Sequence, residues 1–396
     1  MFLKSASIRH FKSLDAVEVH FSPITVIVGP NGVGKSNFVD ALKFFRDMAR
    51  DGLDHAVIGR EGIDRIRQTY RSRPYNIGMD FDFVGGGHEP GAARYGVMLS
   101  GKEGDYRVET ETADYWTHPS WDRERESPAT GNSHEHFERK RDGQLLINGT
   151  EFEKRVRPDV VALGQAIDLD ELGGPIAAFA RQWHFCSLYP NTLRRLSPPT
   201  KEDGLVEDGS NWASVVRALK RSKPGRQALE RIAEVMRVTV PGYLDISVET
   251  AGSYLVPRIS IRGSREGQDK EQRFDPVQLS DGTLRVFGIL LALYQQPPPA
   301  LLVIEEPEQT VHPGVLPALA EACKEASERT QIIVTTHSPH LVDQFDPDQI
   351  RVAWMNDGLT RISPIRTAQV ESVKRRLMSL QEYMLAEGLQ PETAGP

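Results

Sequence analysis

Gly29-Pro30-Asn31-Gly32-Val33-Gly34-Lys35-Ser36 has the spacing G-x-x-x-x-G-K-S, which suits a chain of phosphates. Its glycines let the backbone curl until successive N–H groups point inward at phosphate oxygens, at the positive end of the following helix. Lys35 supplies a point charge to the β- and γ-phosphates, and the Ser36 hydroxyl is a ligand for Mg²⁺. An ordinary glycine turn is the plain alternative. The apolar run before the loop and the helical spacing after it argue against that.

Two further segments place polar groups after apolar runs. Leu301-Leu302-Val303-Ile304 leads into Glu305-Glu306-Pro307-Glu308, and Ile332-Ile333-Val334 leads into Thr335-Thr336-His337-Ser338. In an open α/β sheet, ligands bind beyond the carboxyl ends of the strands, so both ends would lie beside the glycine loop. Glu305 is then assigned to the metal and Glu306 to the attacking water, while a ring nitrogen of His337 reaches the γ-phosphate. An acidic turn or a lone histidine would carry little weight alone. Leu279-Ser280-Asp281-Gly282-Thr283 opens a helix, with Ser280 as N-cap over free N–H groups that form an anion site.

The elements that must position these groups are legible. Residues 16–21 alternate apolar and polar, and Ile24–Val28 is a β-branched run ending at Gly29, so two strands are expected. Phe38, Val39, Leu42, Phe45 and Met48 recur at helical spacing after Lys35. Segments 76–83, 95–100 and 106–111 read as an antiparallel meander. Residues 112–142 are polar with little periodicity and read as a long loop or excursion. Residues 161–237 are mostly helical in pattern, and 244–249 with 254–262 read as a strand pair returning to the sheet. Helices are expected over 284–294 and 315–327, alternating with buried strands at 301–304 and 332–335. That alternation implies an α/β sheet with parallel strands. The divisions expected are 1–155 and 244–380 as two parts of one lobe, 156–243 as a helical insertion, and a frayed tail from 381.

With 396 residues, 39% of them hydrophobic, the chain can bury a large core. A net charge of -7 argues against a surface coated for nonspecific nucleic-acid or membrane binding. Cys186 and Cys323 are too few and too far apart for a disulfide framework or a zinc knuckle, which fits a reducing cytosol. No apolar run approaches the ~20 residues of a membrane span. The expectation is a cytoplasmic protein without a membrane partner.

The phosphate loop, the Leu-Ser-Asp-Gly motif, the Glu-Glu strand end and Thr-Thr-His-Ser-Pro together resemble the ABC-class ATPases of the RecF, SMC and OLD type, and are closest to stand-alone AAA family ATPases of that class. Ile8-Arg9-His10-Phe11-Lys12-Ser13-Leu14, Asp40-Ala41-Leu42-Lys43-Phe44-Phe45, Asp208-Gly209-Ser210-Asn211-Trp212 and His312-Pro313 extend the likeness over most of the chain outside residues 112–142. The resemblance implies a P-loop NTPase of ABC type, a mixed central sheet with a β meander and an inserted helical subdomain. It also implies ATP and Mg²⁺ as cofactors. Lys12 and Ser13 would lie near the nucleotide, and Asn31, Gly32, Val33, Gly34, Lys35, Ser36 and Asn37 would cradle its phosphates. Glu306 would be the catalytic glutamate and His337 the switch histidine. Ser280 and Gly282 would contact the γ-phosphate held by a second copy, so a homodimer would close on ATP and open after hydrolysis.

Departures narrow the reading. Glu305 stands where many P-loop enzymes have Asp, and Asp281 stands where transporters have Gly, which disfavours a transporter subunit. Neither a heptad arm nor a Cys-x-x-Cys hook is present, unlike SMC and hook-bearing repair proteins. Only 59 residues follow His337, too few for an OLD-type nuclease domain, so the chain is not expected to cut DNA alone. Gln68 as a magnesium-sensing glutamine is outweighed by a solvated helix residue. Arg60, Arg65, Arg67, Arg71 and Arg73, and then Lys220, Arg221, Lys223 and Arg226, are the basic clusters that could track DNA; solvated faces balanced by Glu61 and Asp64 are preferred. His134 and His136 in a polar stretch read as exposed rather than metal-bound. Three function classes follow: an ATPase working with a separate effector such as a nuclease in phage defence or a toxin–antitoxin pair, a RecF-like DNA-maintenance ATPase, and a non-hydrolysing nucleotide-gated scaffold.

Overall fold

The computed structural model describes residues 1–68, 76–85, 91–102, 104–117, 121–122, 127–128, 133–163, 174–201, 204–265 and 268–392. The hairpin of β1 (Phe2–Phe11) and β2 (Leu14–His20) comes first, and then β3 (Ile24–Val28) runs through the glycine loop into α1 (Lys35–Asp51). After α2 (Leu53–Ile58) and α3 (Ile63–Ile66) come β4 (Ile77–Val84), β5 (Gly91–Lys102) and β6 (Asp105–Thr117). The two-residue strands β7 (Trp121–Asp122) and β8 (Ser127–Pro128) precede β9 (Ser133–Arg139), β10 (Gln144–Ile147) and β11 (Thr150–Arg155). Next are α4 (Gly174–Arg181), β12 (Trp183–Cys186), α5 (Pro190–Leu193), α6 (Trp212–Leu219) and α7 (Lys223–Thr239). The chain continues with β13 (Tyr243–Ala251), β14 (Tyr254–Arg265), β15 (Gln268–Phe274), α8 (Asp281–Tyr294), β16 (Leu301–Glu305) and α9 (Leu316–Ala326). Last come β17 (Gln331–Thr336), α10 (Pro339–Val342), β18 (Ile350–Asn356), β19 (Leu359–Pro364), α11 (Thr367–Lys374) and α12 (Leu380–Ala386).

Among the described residues one 14-stranded mixed sheet runs in the order β11-β10-β9-β6-β5-β4-β1-β2-β19-β18-β3-β17-β16-β12. Strands β12, β16, β17, β3 and β18 are parallel, and β11 through β2 are antiparallel. The parallel strands are apolar on both faces because helices cover both. Ile27, Leu301, Val303 and Ile333 face the core that contains α1, while Val26, Leu302, Ile304, Ile332 and Val334 face the core that contains α8. Helix α1 buries Phe38, Val39, Leu42, Phe45 and Met48, the stripe its spacing predicts. In α8 every residue from Leu284 to Tyr294 is buried, so this helix lies inside the molecule rather than on its surface.

The α/β architecture, the meander and the strands around the glycine loop agree with expectation. Four local readings do not. Residues 112–142 are largely strand: β6 extends to Thr117 and β9 covers Ser133–Arg139, because alternate residues such as Ala113, Tyr115 and Phe137 still reach the core. The middle of that stretch, outside 121–122 and 127–128, lies outside the described residues. The pair β13 and β14 does not return to the main sheet; with β15 it forms a separate 3-stranded sheet whose Tyr243, Ile246 and Ile259 pack into the α8 core. The helical stretch contains β12, which pairs with β16 at the edge of the main sheet. Finally, residues 381–392 are ordered: Ser379 and Glu382 make a capping box for α12, and the backbone of Gln390 and Glu392 bonds to Arg366 and Pro364.

Phe45 is the hub where α1 meets the sheet. Its ring lies 4.1 Å from Phe81 and 5.4 Å from both Tyr95 and Trp183. Phe45→Ala removes this contact set from a site with no water access, and should cost about 3–5 kcal/mol. Urea unfolding should show a lower midpoint than for an exposed control such as Ile58→Ala; equal midpoints would contradict this packing.

Candidate nucleotide site

The site is built where parallel strands stop together. β17 pairs with β3 so that Thr336 lies opposite Val28, and β16 pairs with β17 so that Glu305 lies opposite Thr335. Everything immediately beyond those residues therefore shares one edge: the 29–36 loop, Glu306 and His337. Gly32 and Gly34 sit at φ 81° and 96°, a backbone region that disfavours side chains. At Gly34 a Cβ would also stand 1.9 Å from Thr360 Oγ1 and 2.8 Å from Ser13 Oγ. Those two hydroxyls are themselves 2.6 Å apart, Asn37 Nδ2 donates to Ser13 Oγ at 2.7 Å, and Thr360 donates to the Val33 carbonyl at 2.8 Å. The turn between β1 and β2 thus braces the loop from outside.

Lys35 is buried and folds over the loop, donating to the carbonyls of Gly29 at 2.7 Å and Pro30 at 2.9 Å. Burial pulls its ammonium pKa down, and the charges of Glu306 and Glu308 oppose that pull. Glu305 is pushed up by burial, opposed by hydrogen bonds from Ser36 and Ser187, the latter at 3.3 Å. Ser36 hydroxyl and Glu305 carboxylate are hard oxygen donors, the set a Mg²⁺ ion takes. Lys12 pairs with Asp40 on α1 at 2.7 Å.

Glu306 takes φ 44°, unusual for a side-chain-bearing residue, with its N–H bonded to the Thr335 carbonyl at 2.8 Å and its carboxylate to Gln309. His337 Nδ1 lies 3.6 Å from Glu306 Oε1 and 3.4 Å from Glu308 Oε1. Three residues that the motif reading passed over complete the arrangement. Glu308 Oε1 accepts from the Thr336 hydroxyl at 2.6 Å and the His337 N–H at 3.0 Å, which ties the two strand ends together, while its buried Oε2 has no hydrogen-bond partner among the described residues. Arg285, buried on α8, donates to the Leu188, Glu305 and Glu306 carbonyls at 2.6, 3.2 and 2.9 Å. Its signal was available: a single charge inside the apolar 284–294 run. Thr360 had none, since it arrives from 326 positions beyond Gly34.

Ser280 and Gly282 are held by other contacts. Ser280 caps α8 through the Thr283 N–H at 3.2 Å, Asp281 pairs with Arg194 at 2.6 Å, and a Cβ at Gly282 would meet the Thr310 carbonyl at 2.5 Å. Gln68 is buried rather than solvated, because Arg67 bridges to Phe11 and the Gln68 N–H bonds to His10. The first basic cluster is largely spent in ion pairs: Arg60 with Asp40 and Asp47, Arg65 with Glu61, Arg67 with Asp64. Arg71 and Arg73 lie outside the described residues. Among the described residues no helix is long and apolar enough to cross a membrane.

Comparisons with known proteins bear on the family and the fold. Residues 24–343 match the family described as "AAA domain, putative AbiEii toxin, Type IV TA system". The OLD nuclease of Thermus scotoductus is 24% identical over 354 residues, spanning 86% of this chain and 60% of that protein. The chain thus spans about 60% of the length of that relative. The DNA replication and repair protein RecF of Phocaeicola vulgatus is 33% identical over 84 residues, 19% of this chain and 23% of that one. The chromosome partition protein Smc of Halothermothrix orenii is 54% identical over 46 residues, 11% of this chain and 4% of that one. Among solved structures, the SMC head bound to the C-winged helix domain of ScpA superposes with TM-score 0.51 at 14% identity, covering 93% of this chain and 99% of that one, a likeness of fold. A phosphate loop, paired carboxylates and a histidine on one sheet edge, in a match covering most of the chain, place this protein in that AAA domain family, among ABC-type ATPases of the RecF, SMC and OLD kind.

Proposed function

We propose that this chain binds and hydrolyses ATP at the 29–36 loop, in a site completed by the Ser280–Gly282 segment of a second copy. The observation that carries this reading is the shared edge of β3, β16 and β17, where Lys35, Ser36, Glu305, Glu306 and His337 converge. In this reading the N–H groups of residues 31–37 and the Lys35 ammonium bind the phosphates, and Ser13 supports the loop from behind. Ser36 and Glu305 hold Mg²⁺, which supplies charge neutralisation on the phosphates when bound. Glu306 accepts the proton of the attacking water, and the neighbouring His337 and Glu308 hold that carboxylate's surroundings in place. Lys12, paired with Asp40, serves the fold of α1 more than the nucleotide.

The signature segment supports a composite site. Within its own chain Ser280 caps α8 through Thr283, Asp281 pairs with Arg194 and Gly282 packs against the Thr310 carbonyl, none of them a contact of the 29–36 loop. Two copies joined head to tail would bring Ser280 and Gly282 against the γ-phosphate, so that ATP closes the pair and hydrolysis opens it. Arg285 links that segment's helix to the Glu305 and Glu306 carbonyls, so closure would bear directly on the catalytic carboxylate.

We assign the load of this cycle to a separately encoded effector, in phage defence or a toxin–antitoxin pair. The family description, which names a toxin system, supports that assignment. DNA remains the second reading, favoured by the short RecF match; the ion pairing of Arg60, Arg65 and Arg67 weighs against it.

Glu306→Gln should stop turnover while ATP binding persists, and should convert the chain to a dimer on size-exclusion chromatography with ATP. Only monomer for that variant would rule out the sandwich. Arg285→Ala should lower kcat about a hundredfold, the cost of a carboxylate displaced by about an ångström, with ATP affinity changed little. Equal loss in binding and turnover would show that Arg285 only holds the fold together. Steeply salt-dependent binding to duplex DNA would favour the DNA reading over the effector.

A further inference from the structure

The stretch between β6 and β9 carries a cluster that nucleotide chemistry leaves unused. His134 and His136 stand two residues apart on β9, so the two-residue period of a strand puts both rings on one face of the sheet. Asp114 on β6 is the cross-strand partner of His136 and shares that face. Its Oδ1 lies 2.9 Å from His134 Nε2 and 2.8 Å from His136 Nδ1, and the three ligand atoms all fall within 4.8 Å of one another.

This convergence is held from several sides. Phe137, between the histidines and its neighbour Glu138, is buried on the opposite face and fixes the pleat. Trp116, the cross-strand partner of His134, stacks on its ring at 5.1 Å and 12°. The backbone N–H of His136 donates to Asn148 Oδ1 at 2.8 Å, and its carbonyl accepts from the Asn148 N–H at 2.8 Å. Both rings are partly open to solvent, with side-chain exposures of 47% and 35%, which leaves an entry path.

The geometry points to a zinc site formed by Asp114, His134 and His136. Two imidazole nitrogens and one carboxylate oxygen are ligands Zn²⁺ favours, at roughly 2.0–2.2 Å each, with a fourth position left to water. Ligand atoms in such a tetrahedron stand about half an ångström further apart than the hydrogen-bonded distances here, a change the exposed His134 ring can absorb. The ion joins β9 to β6 at the root of the 118–132 connection. Six strands separate β6 from β3 in the sheet, on the order of 30 Å at ordinary strand spacing, so the site is independent of the phosphate loop.

The test uses the full chain, stripped of metal by a chelator and titrated with Zn²⁺ by calorimetry, and with Co²⁺ as a visible-absorbing stand-in. One ion per chain should bind with micromolar or tighter affinity, Co²⁺ should show tetrahedral d–d bands, and zinc should raise the melting temperature. His134→Ala and Asp114→Asn should each weaken binding at least about tenfold. His337→Ala, which removes the histidine beside the nucleotide loop, should leave zinc affinity unchanged. The ring of His134 is half-exposed, so His134→Ala should keep the fold, as circular dichroism will report. Absence of binding at tens of micromolar zinc would mean a hydrogen-bonded trio and overturn the site. So would stoichiometric binding that survives in the Asp114→Asn/His134→Ala double variant.

Discussion

Parallel hydrogen bonding between β3, β17 and β16 brings the phosphate loop, Glu305, Glu306 and His337 to one edge. Neighbouring strands lie about 4.8 Å apart, so groups leaving the ends of three adjacent strands meet within the span of a triphosphate. Register is what makes the meeting useful. A one-residue slip of β16 would turn Leu302 and Ile304 to the other face and carry Glu305 off the edge. Burial of both faces prevents that slip, because each alternate residue is committed to one of two separate cores. The chemistry at the edge thus rests on apolar packing several residues away from it.

Around that edge the protein buries charge only where partners are supplied. Arg285 is nearly inaccessible, yet three carbonyls at the ends of β12 and β16 receive its guanidinium. A buried guanidinium without them would cost several kcal/mol. Glu308 is placed the same way, accepting from Thr336 and His337 while pulling against the burial that lowers the Lys35 pKa. These hydrogen bonds join α8, β16 and β17 at one corner beside Glu306.

The antiparallel half follows a different rule. Its inner face packs Phe81, Phe83, Tyr95 and Phe137 against α1 and α4, and its outer face carries charge in cross-strand rows such as Asp82, Arg94 and Asp114. Even its buried face holds one carboxylate. Glu111 accepts from the Tyr95 hydroxyl at 2.9 Å and from the N–H groups of Ala162 and Leu163 at 2.7 and 2.8 Å, fastening the chain that leaves the meander. Burial raises the Glu111 pKa, with those hydrogen bonds opposing.

Local chemistry determined much of this by sequence alone. The Gly-Lys-Ser loop, the β-branched runs of β3, β16 and β17, and the apolar stripe of α1 each state their structure within a dozen residues, because backbone freedom, burial of both faces and helical period are short-range properties. What depends on distant partners was illegible. Period-two burial in β6 and β9 is masked by the polar residues of the outer face, so residues 112–142 read as loop. Nothing local tells β13 and β14 to pair with β15 instead of the main sheet. The brace of Thr360 behind Gly34, the burial of Gln68 against β1, and the turn of Lys12 toward Asp40 are contacts between segments that only folding brings together. Sequence spacing named the groups that can grip phosphate; tertiary register decided which of them share an edge, since that depends on strands pairing across hundreds of residues.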